Sequence, residues 1–175
     1  MKVIFIIIIT LFTSIPSSIN NKHIEDDINC TAELTVEKNR SFKSAYADGA
    51  NFKLTLTNTS NTTTSYKLAA LNLSSPCSNN PNENLQRRTA SKNSDVIVSF
   101  KMNNSLKYAN KKTKQSNTIT LDAGQSKEFI VNAMIPEGTP YNTWSCIEVK
   151  ASSINCNAST AEVILSVFIP DPNEN

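Results

Sequence analysis

Few residues in this chain could do chemistry, and their positions limit what they could do. There is one histidine, His23, in the polar run that follows an apolar N-terminus. A Ser-His-Asp or Cys-His device needs an imidazole fixed by rigid neighbours. A tail segment outside the strand region does not provide that, and a His-based metal site fails for the same reason. Three glycines are too few to build a phosphate-cradling loop. Asp48, Asp122 and Glu137 are single acids in turns, Glu128 and Glu148 fall on outward strand faces, and Glu25-Asp26-Asp27 lies in the tail. These read as solvation rather than as a glycosidase pair, which needs two carboxyl groups facing each other across a cleft. The expectation is a protein that is not an enzyme and needs no cofactor or metal.

What remains is recognition chemistry. Tyr141 and Trp144 are close in sequence. Exposed together they would offer a stacking platform for a sugar; buried, Trp144 would join the core. The longest irregular stretch, Ser74 to Ser94, carries Asn79, Asn80, Arg87 and Arg88. Unstructured stretches of this length in a compact domain are commonly functional or disordered, so these four residues are a candidate contact loop for a protein partner. The basic cluster Lys107, Lys111, Lys112 and Lys114 has no aromatic interleaving beyond Tyr108 and reads as a solvated loop, not a nucleic-acid patch.

The elements that must position these residues are strands. Period-2 alternation recurs and helical periodicity does not. Cys30, Ala32, Leu34 and Val36 share one face of a first strand, and Phe52, Leu54 and Leu56 one face of a second. Tyr66 and Leu68 open a third; Leu71 and Leu73 then change parity, which predicts a bulge near Ala69-Ala70. Further strands follow at Val96–Phe100, Ile119–Leu121, Phe129–Ile135, Ile147–Ala151 and Val163–Ile169. The segments between them, including Asp48-Gly49, Asp122-Ala123-Gly124 and Pro136-Glu137-Gly138, are turn chemistry. Short strands at regular spacing predict an all-β fold, an immunoglobulin-like antiparallel β-sandwich of seven to eight strands.

The N-terminus reads as an export signal. Lys2 precedes an apolar run, Val3 to Phe12, too short for the roughly 20 residues that span a bilayer. Cleavage is expected between Ser17 and Asn21. The expected organisation is a signal peptide over 1–18, a flexible segment over 19–29, one sandwich over 30–170 and a short polar tail over 171–175. No second long apolar segment follows, so a secreted, surface or periplasmic protein without a transmembrane anchor is expected. Removing Lys2 leaves 16 basic residues of the 17 against 15 acidic ones, a nearly neutral chain with no sign of a nucleic-acid partner. Seven N-x-S/T triplets occur, at Asn29, Asn39, Asn58, Asn61, Asn72, Asn103 and Asn157. In a eukaryotic secretory pathway several would carry glycans, but the Asn, Ile and Lys bias of an AT-rich genome produces such triplets by chance. A bacterial source is the expected one.

Phe52-Lys-Leu-Thr-Leu-Thr-Asn58 with Tyr66-Lys-Leu68 resembles the second and third strands of bacterial immunoglobulin-like accessory domains (the NEW3 type, fibronectin-III-like). Leu121-Asp-Ala-Gly124, Phe129 to Ile135, Pro136-Glu-Gly138-Thr139 and Ile147-x-Val149-x-Ala151 are similar to that family's later turn, strand and corner. The resemblance spans roughly residues 30 to 170 and implies a spacer, binding module or assembly part. The long stretch from Ser74 to Ser94 and the four cysteines depart from the simple pattern.

An even number of cysteines in an exported chain reads as two disulfides. Zinc would want paired C-x-x-C spacing, which is absent. If Cys146 begins the seventh strand and Cys156 lies in the following loop, about six strand residues, roughly 20 Å, separate them. A bridge needs Cα atoms within about 7 Å, so Cys146–Cys156 is disfavoured. In an immunoglobulin-like sandwich the first strand's start and the last inter-strand loop share one pole, which pairs Cys30 with Cys156. The other pole pairs Cys77 with Cys146. The functional expectation is a secreted or cell-surface binding or assembly module acting through protein–protein contacts. The alternative is a carbohydrate-binding module using Tyr141 and Trp144.

Overall fold

Alternating apolar residues build two sheets that face each other across one core. A computed structural model describes residues 30–75, 77, 93–102, 105–108, 117–156 and 160–173. In chain order the strands are β1 (Ala32–Val36), β2 (Phe42–Ser44), β3 (Ala50–Asn58), β4 (Thr64–Leu73), β5 (Ile97–Met102), β6 (Ser105–Tyr108), β7 (Thr118–Leu121), β8 (Ser126–Met134), β9 (Thr143–Ser153) and β10 (Thr160–Ile169). A single-turn 3₁₀ segment, Glu37–Asn39, joins β1 to β2.

One sheet has the order β1-β3-β8-β5-β6 and the other β2-β10-β9-β4-β7. All pairings are antiparallel except that of β2 with β10. The chain therefore switches sheets between β1 and β2, so its first two strands close the same side of the sandwich on opposite layers. The fold is the expected β-sandwich, with ten strands among the described residues in place of seven to eight. The two added strands, β2 and β6, are only three and four residues long. Too few residues alternate there to give a period-2 signal.

Phe52, Leu54 and Leu56 on β3, Phe129 and Val131 on β8, and Val98 and Phe100 on β5 point inward from the first sheet. Tyr66 and Leu68 on β4, Ile147 and Val149 on β9, and Leu165 and Val167 on β10 meet them from the second. Phe100 and Phe129 pack edge to face at 5.9 Å, a geometry favoured by the ring quadrupoles. On the outer faces, ion pairs join Lys53 to Glu128 across β3 and β8 at 2.9 Å and Lys150 to Glu148 along β9 at 3.0 Å. Hydrogen bonds and charge from those carboxylates raise both lysine pKa values.

Two expectations are corrected. The register of β4 against β9 runs unbroken from Tyr66 opposite Ser153 to Leu73 opposite Cys146, so there is no bulge at Ala69-Ala70 in this ladder. Instead Leu71 points outward, at 59% exposure. The alternation continues through Ala70 and Asn72, and Leu71 is an apolar residue on the solvent side. Also, β9 starts at Thr143, with Cys146 inside the strand rather than at its beginning, and the alternation legible from Ile147 does not extend back to that start. Trp144, Ser145, Cys146 and Ile147 are all buried, which erases the alternation there because both faces of β9 are covered.

The turn after β2 requires glycine. Gly49 has φ +79°, its N–H donates to the Tyr46 carbonyl at 2.8 Å, and a Cβ there would run into the backbone of Ala133. That contact seats the β2–β3 turn against the end of β8. The N-terminal segment 1–29, expected to hold the signal peptide and His23, lies outside the described residues.

Candidate functional site

The two disulfides are Cys30–Cys156 and Cys77–Cys146, with Cα separations of 6.2 and 5.5 Å, both inside the usual range for a bridge. The first joins the start of β1 to the β9–β10 loop at one pole. The second sits on the outer face of the second sheet, three residues into β9, rather than at the tip of the opposite pole. Two disulfides suit an oxidising, non-cytoplasmic compartment. No helix among the described residues is long and apolar enough to cross a membrane.

Cys77 anchors a covered patch on that outer face. Trp144 is 1% exposed and packs against Phe168 at 5.0 Å and Phe42 at 5.4 Å. It does so because Trp144 and Phe168 are opposite each other in the β9–β10 register and point away from the main core. The Ser94 N–H donates to the Trp144 carbonyl at 2.7 Å, and Asn93 donates its amide to the carbonyls of Leu73, at 2.8 Å, and Ser75. Both roots of the long connection are thereby fixed to the sheet. Its candidate contact residues Asn79, Asn80, Arg87 and Arg88 lie outside the described residues.

The structure separates the aromatic pair singled out in the sequence. Tyr141 is 55% exposed while Trp144 is buried in its own aromatic cluster, so the two do not form one stacking platform. Tyr141 has a different partner. Together with Tyr46, itself 54% exposed, it lines a cavity of about 440 Å³ at the pole opposite Cys30–Cys156. Three distant stretches meet there: residues 45–47 after β2, residues 135–141 between β8 and β9, and residues 169–172 after β10. Ile135, Pro136, Pro170 and Pro172 make apolar walls.

Turn chemistry holds this wall. Thr139 donates its backbone N–H (3.2 Å) and its hydroxyl (2.7 Å) to the Pro136 carbonyl, and Gly138 takes φ +79°. The prolines have fixed φ and no N–H, so they present rigid apolar surface with no backbone donor. Among the described residues Glu137 is the only carboxylate on the wall. The site offers two phenols, one carboxylate and an apolar floor. That equips it for stacking and apolar contact with a few directional hydrogen bonds. Tyr46 was not singled out in the sequence, since a lone Tyr between two alanines before Asp48-Gly49 carries no local signal of a site.

The opposite pole is a structural knot. Asn58 is fully buried; its side-chain amide donates to the carbonyls of Thr62, Leu121 and Asp122 at 2.8–3.1 Å. Its side-chain oxygen accepts from the Ser60 N–H, the Ser60 hydroxyl and the Tyr66 hydroxyl. Burial raises the Tyr66 pKa, against hydrogen bonds from Thr64 and Ser60 that lower it. The knot ties the β3–β4 and β7–β8 turns together. Among the described residues no group of three or more His, Cys, Asp or Glu could hold a metal ion.

No protein-family model matches the chain, and no curated protein does. Among solved structures it is similar to a FixG-related protein from Vibrio parahaemolyticus, at 15% identity over 81% of this chain and 96% of that one, with a TM-score of 0.43. It is also similar to the E. coli chaperone DraB (13% identity, 83% of this chain, TM-score 0.41), of which it spans 57%. A PapD-like domain of human CEP192 matches at 9% identity over 97% of this chain and 99% of that one, with a TM-score of 0.38. These are likenesses between β-sandwich domains and carry nothing about function.

Proposed function

We propose that this protein is a secreted, non-catalytic binding module that holds an extended segment of a partner protein in the cavity between Tyr46 and Tyr141. The observation that supports the reading is two half-exposed tyrosines on the walls of one proline- and isoleucine-lined cavity. Tyrosine supplies a large amphipathic contact area at low conformational cost, which is why it is enriched at interfaces. Rigid aromatic and proline walls suit an extended or polyproline-type peptide that is already ordered before it binds.

The test compares wild type with the double variant Tyr46→Ala/Tyr141→Ala in cross-linking capture from the native surface. Both side chains are half in solvent, so folding is expected to be unchanged by circular dichroism. A partner captured by wild type and lost from the double variant is the expected result. Equal capture by both removes the cavity from the proposal. A carbohydrate is the second reading, favoured by the same tyrosine pair, since a phenol face also stacks on a sugar ring. Calorimetric titration against a glycan panel separates the two, because heat of binding to a defined glycan would assign the cavity to a sugar.

A further inference from the structure

Four of the seven N-x-S/T triplets have their asparagine among the described residues: Asn39, Asn58, Asn61 and Asn72. The structure sorts these four into two chemically different pairs. N-glycosylation joins the side-chain nitrogen of the acceptor to the first sugar of a polyprenyl-diphosphate-linked oligosaccharide. The nitrogen–C1 bond forms, the C1–O bond to diphosphate breaks, the nitrogen gives up one proton and the lipid diphosphate leaves. The product keeps one N–H where there were two and carries a bulky polar group that must stand in solvent.

Asn58 cannot meet those terms in the folded state. Both of its amide protons are engaged among the carbonyls of Thr62, Leu121 and Asp122. The hydroxyl at the +2 position of its triplet, on Ser60, is 6% exposed and donates to Asn58 itself at 2.6 Å. Asn72 is half-buried and ties β4 to the start of β5: its amide donates to the Val96 carbonyl at 2.8 Å and its oxygen faces the Val96 N–H at 3.4 Å. A sugar on either nitrogen would have to occupy space held by protein.

Asn39 and Asn61 are the opposite case. Both are exposed. Asn39 ends the 3₁₀ turn in the left-handed region, at φ +54°, which projects it from a tight turn. It stands at the rim of a shallow apolar groove with Leu34, Val36 and Val163 beside the free edge of β1. Asn61 lies in the β3–β4 turn, flanked by Thr62 and Thr63, which are also exposed.

We propose that Asn39 and Asn61 are N-glycan acceptor sites that this fold leaves open, and that Asn58 and Asn72 are structural asparagines whose triplets are never occupied in folded protein. The inference is independent of the Tyr46–Tyr141 cavity, which lies on other loops. The experiment expresses the full chain behind a host leader in a eukaryotic secretory cell. Secreted, soluble material is treated with a glycan-releasing amidase in heavy-oxygen water, so that each formerly occupied asparagine is marked as aspartate in peptide mass spectra. Marks on Asn39 and Asn61 and none on Asn58 or Asn72 are expected. The single variants Asn39→Gln and Asn61→Gln should each remove one glycan's mass from the intact protein and leave the melting temperature unchanged. An unmarked Asn39 or Asn61, or a mark on Asn58 or Asn72 in soluble, thermally cooperative protein, overturns the assignment.

Discussion

Replacing Asn58 by alanine removes a side chain that makes six hydrogen bonds inside the fold. Not every partner is orphaned. The Tyr66 hydroxyl keeps the Thr31 carbonyl at 3.2 Å, and the Ser60 hydroxyl keeps the Thr62 carbonyl at 2.9 Å. The buried Ser60 N–H loses its acceptor and the Leu121 carbonyl loses a donor, while the Asp122 carbonyl keeps the Gln125 N–H at 3.0 Å. An unsatisfied buried group costs about 1–3 kcal/mol, whereas an ordinary hydrogen bond contributes about 1 kcal/mol net. Two such groups, together with the bonds that are lost but partly replaced, give a loss of about 3–5 kcal/mol. For a domain of this size that corresponds to roughly 10–15 °C in melting temperature. Urea unfolding followed by fluorescence of Trp144, the protein's one tryptophan, measures it directly, since that ring is buried in the native state. Tyr66→Phe should cost less, and the double-mutant cycle between the two should show a coupling of about 1 kcal/mol. A loss below about 1 kcal/mol for Asn58→Ala, with unchanged m-value, would refute the view that the knot fastens these turns.

Gly49→Ala should destabilise far more than Gly138→Ala. Both replace a glycine at φ +79°, but only the first drives a Cβ into the Ala133 carbonyl, and thermal melts of the two variants compare them directly. Opening Cys30–Cys156 (sequence separation 126) should cost more than opening Cys77–Cys146 (separation 69). The chain-entropy difference is about 0.5 kcal/mol on top of roughly 4 kcal/mol for each bridge, readable from denaturation of the two paired Cys→Ala variants. With alkali, the raised Tyr66 pKa has a definite sign. The neutral phenol's contribution is fully present below the ordinary value of 10.0 and is lost as pH rises through the higher folded value, as linkage requires. Stability from this group should therefore be flat through neutrality and fall above pH 10, and Tyr66→Phe should flatten that alkaline limb; an identical limb in the variant would assign it elsewhere.

The sequence by itself determined the layered architecture, because side-chain alternation is a local property. Phe52, Leu54 and Leu56 must face one way whatever packs on them, and eight of the strands announce themselves in this manner. Strand reach also excluded Cys146–Cys156, and the poles expected of an immunoglobulin-like sandwich chose Cys30–Cys156 and Cys77–Cys146 from the two connectivities that remained. The same local reading failed where the environment departs from one covered and one open face. Leu71 suggested a bulge because an apolar residue on the solvent side mimics a parity change. Alternation is lost at the start of β9 because the Cys77 bridge and the Phe42 and Phe168 rings cover its outer face, so four consecutive residues are buried. Only the tertiary structure decided what Tyr141 pairs with. Trp144 is three residues away but points into the outer aromatic cluster, whereas Tyr46, almost a hundred positions earlier, lines the same cavity. That site exists because β2, β8, β9 and β10 have ends at one pole, which brings three chain-distant turns together. Nothing in the composition of any one turn encodes that meeting.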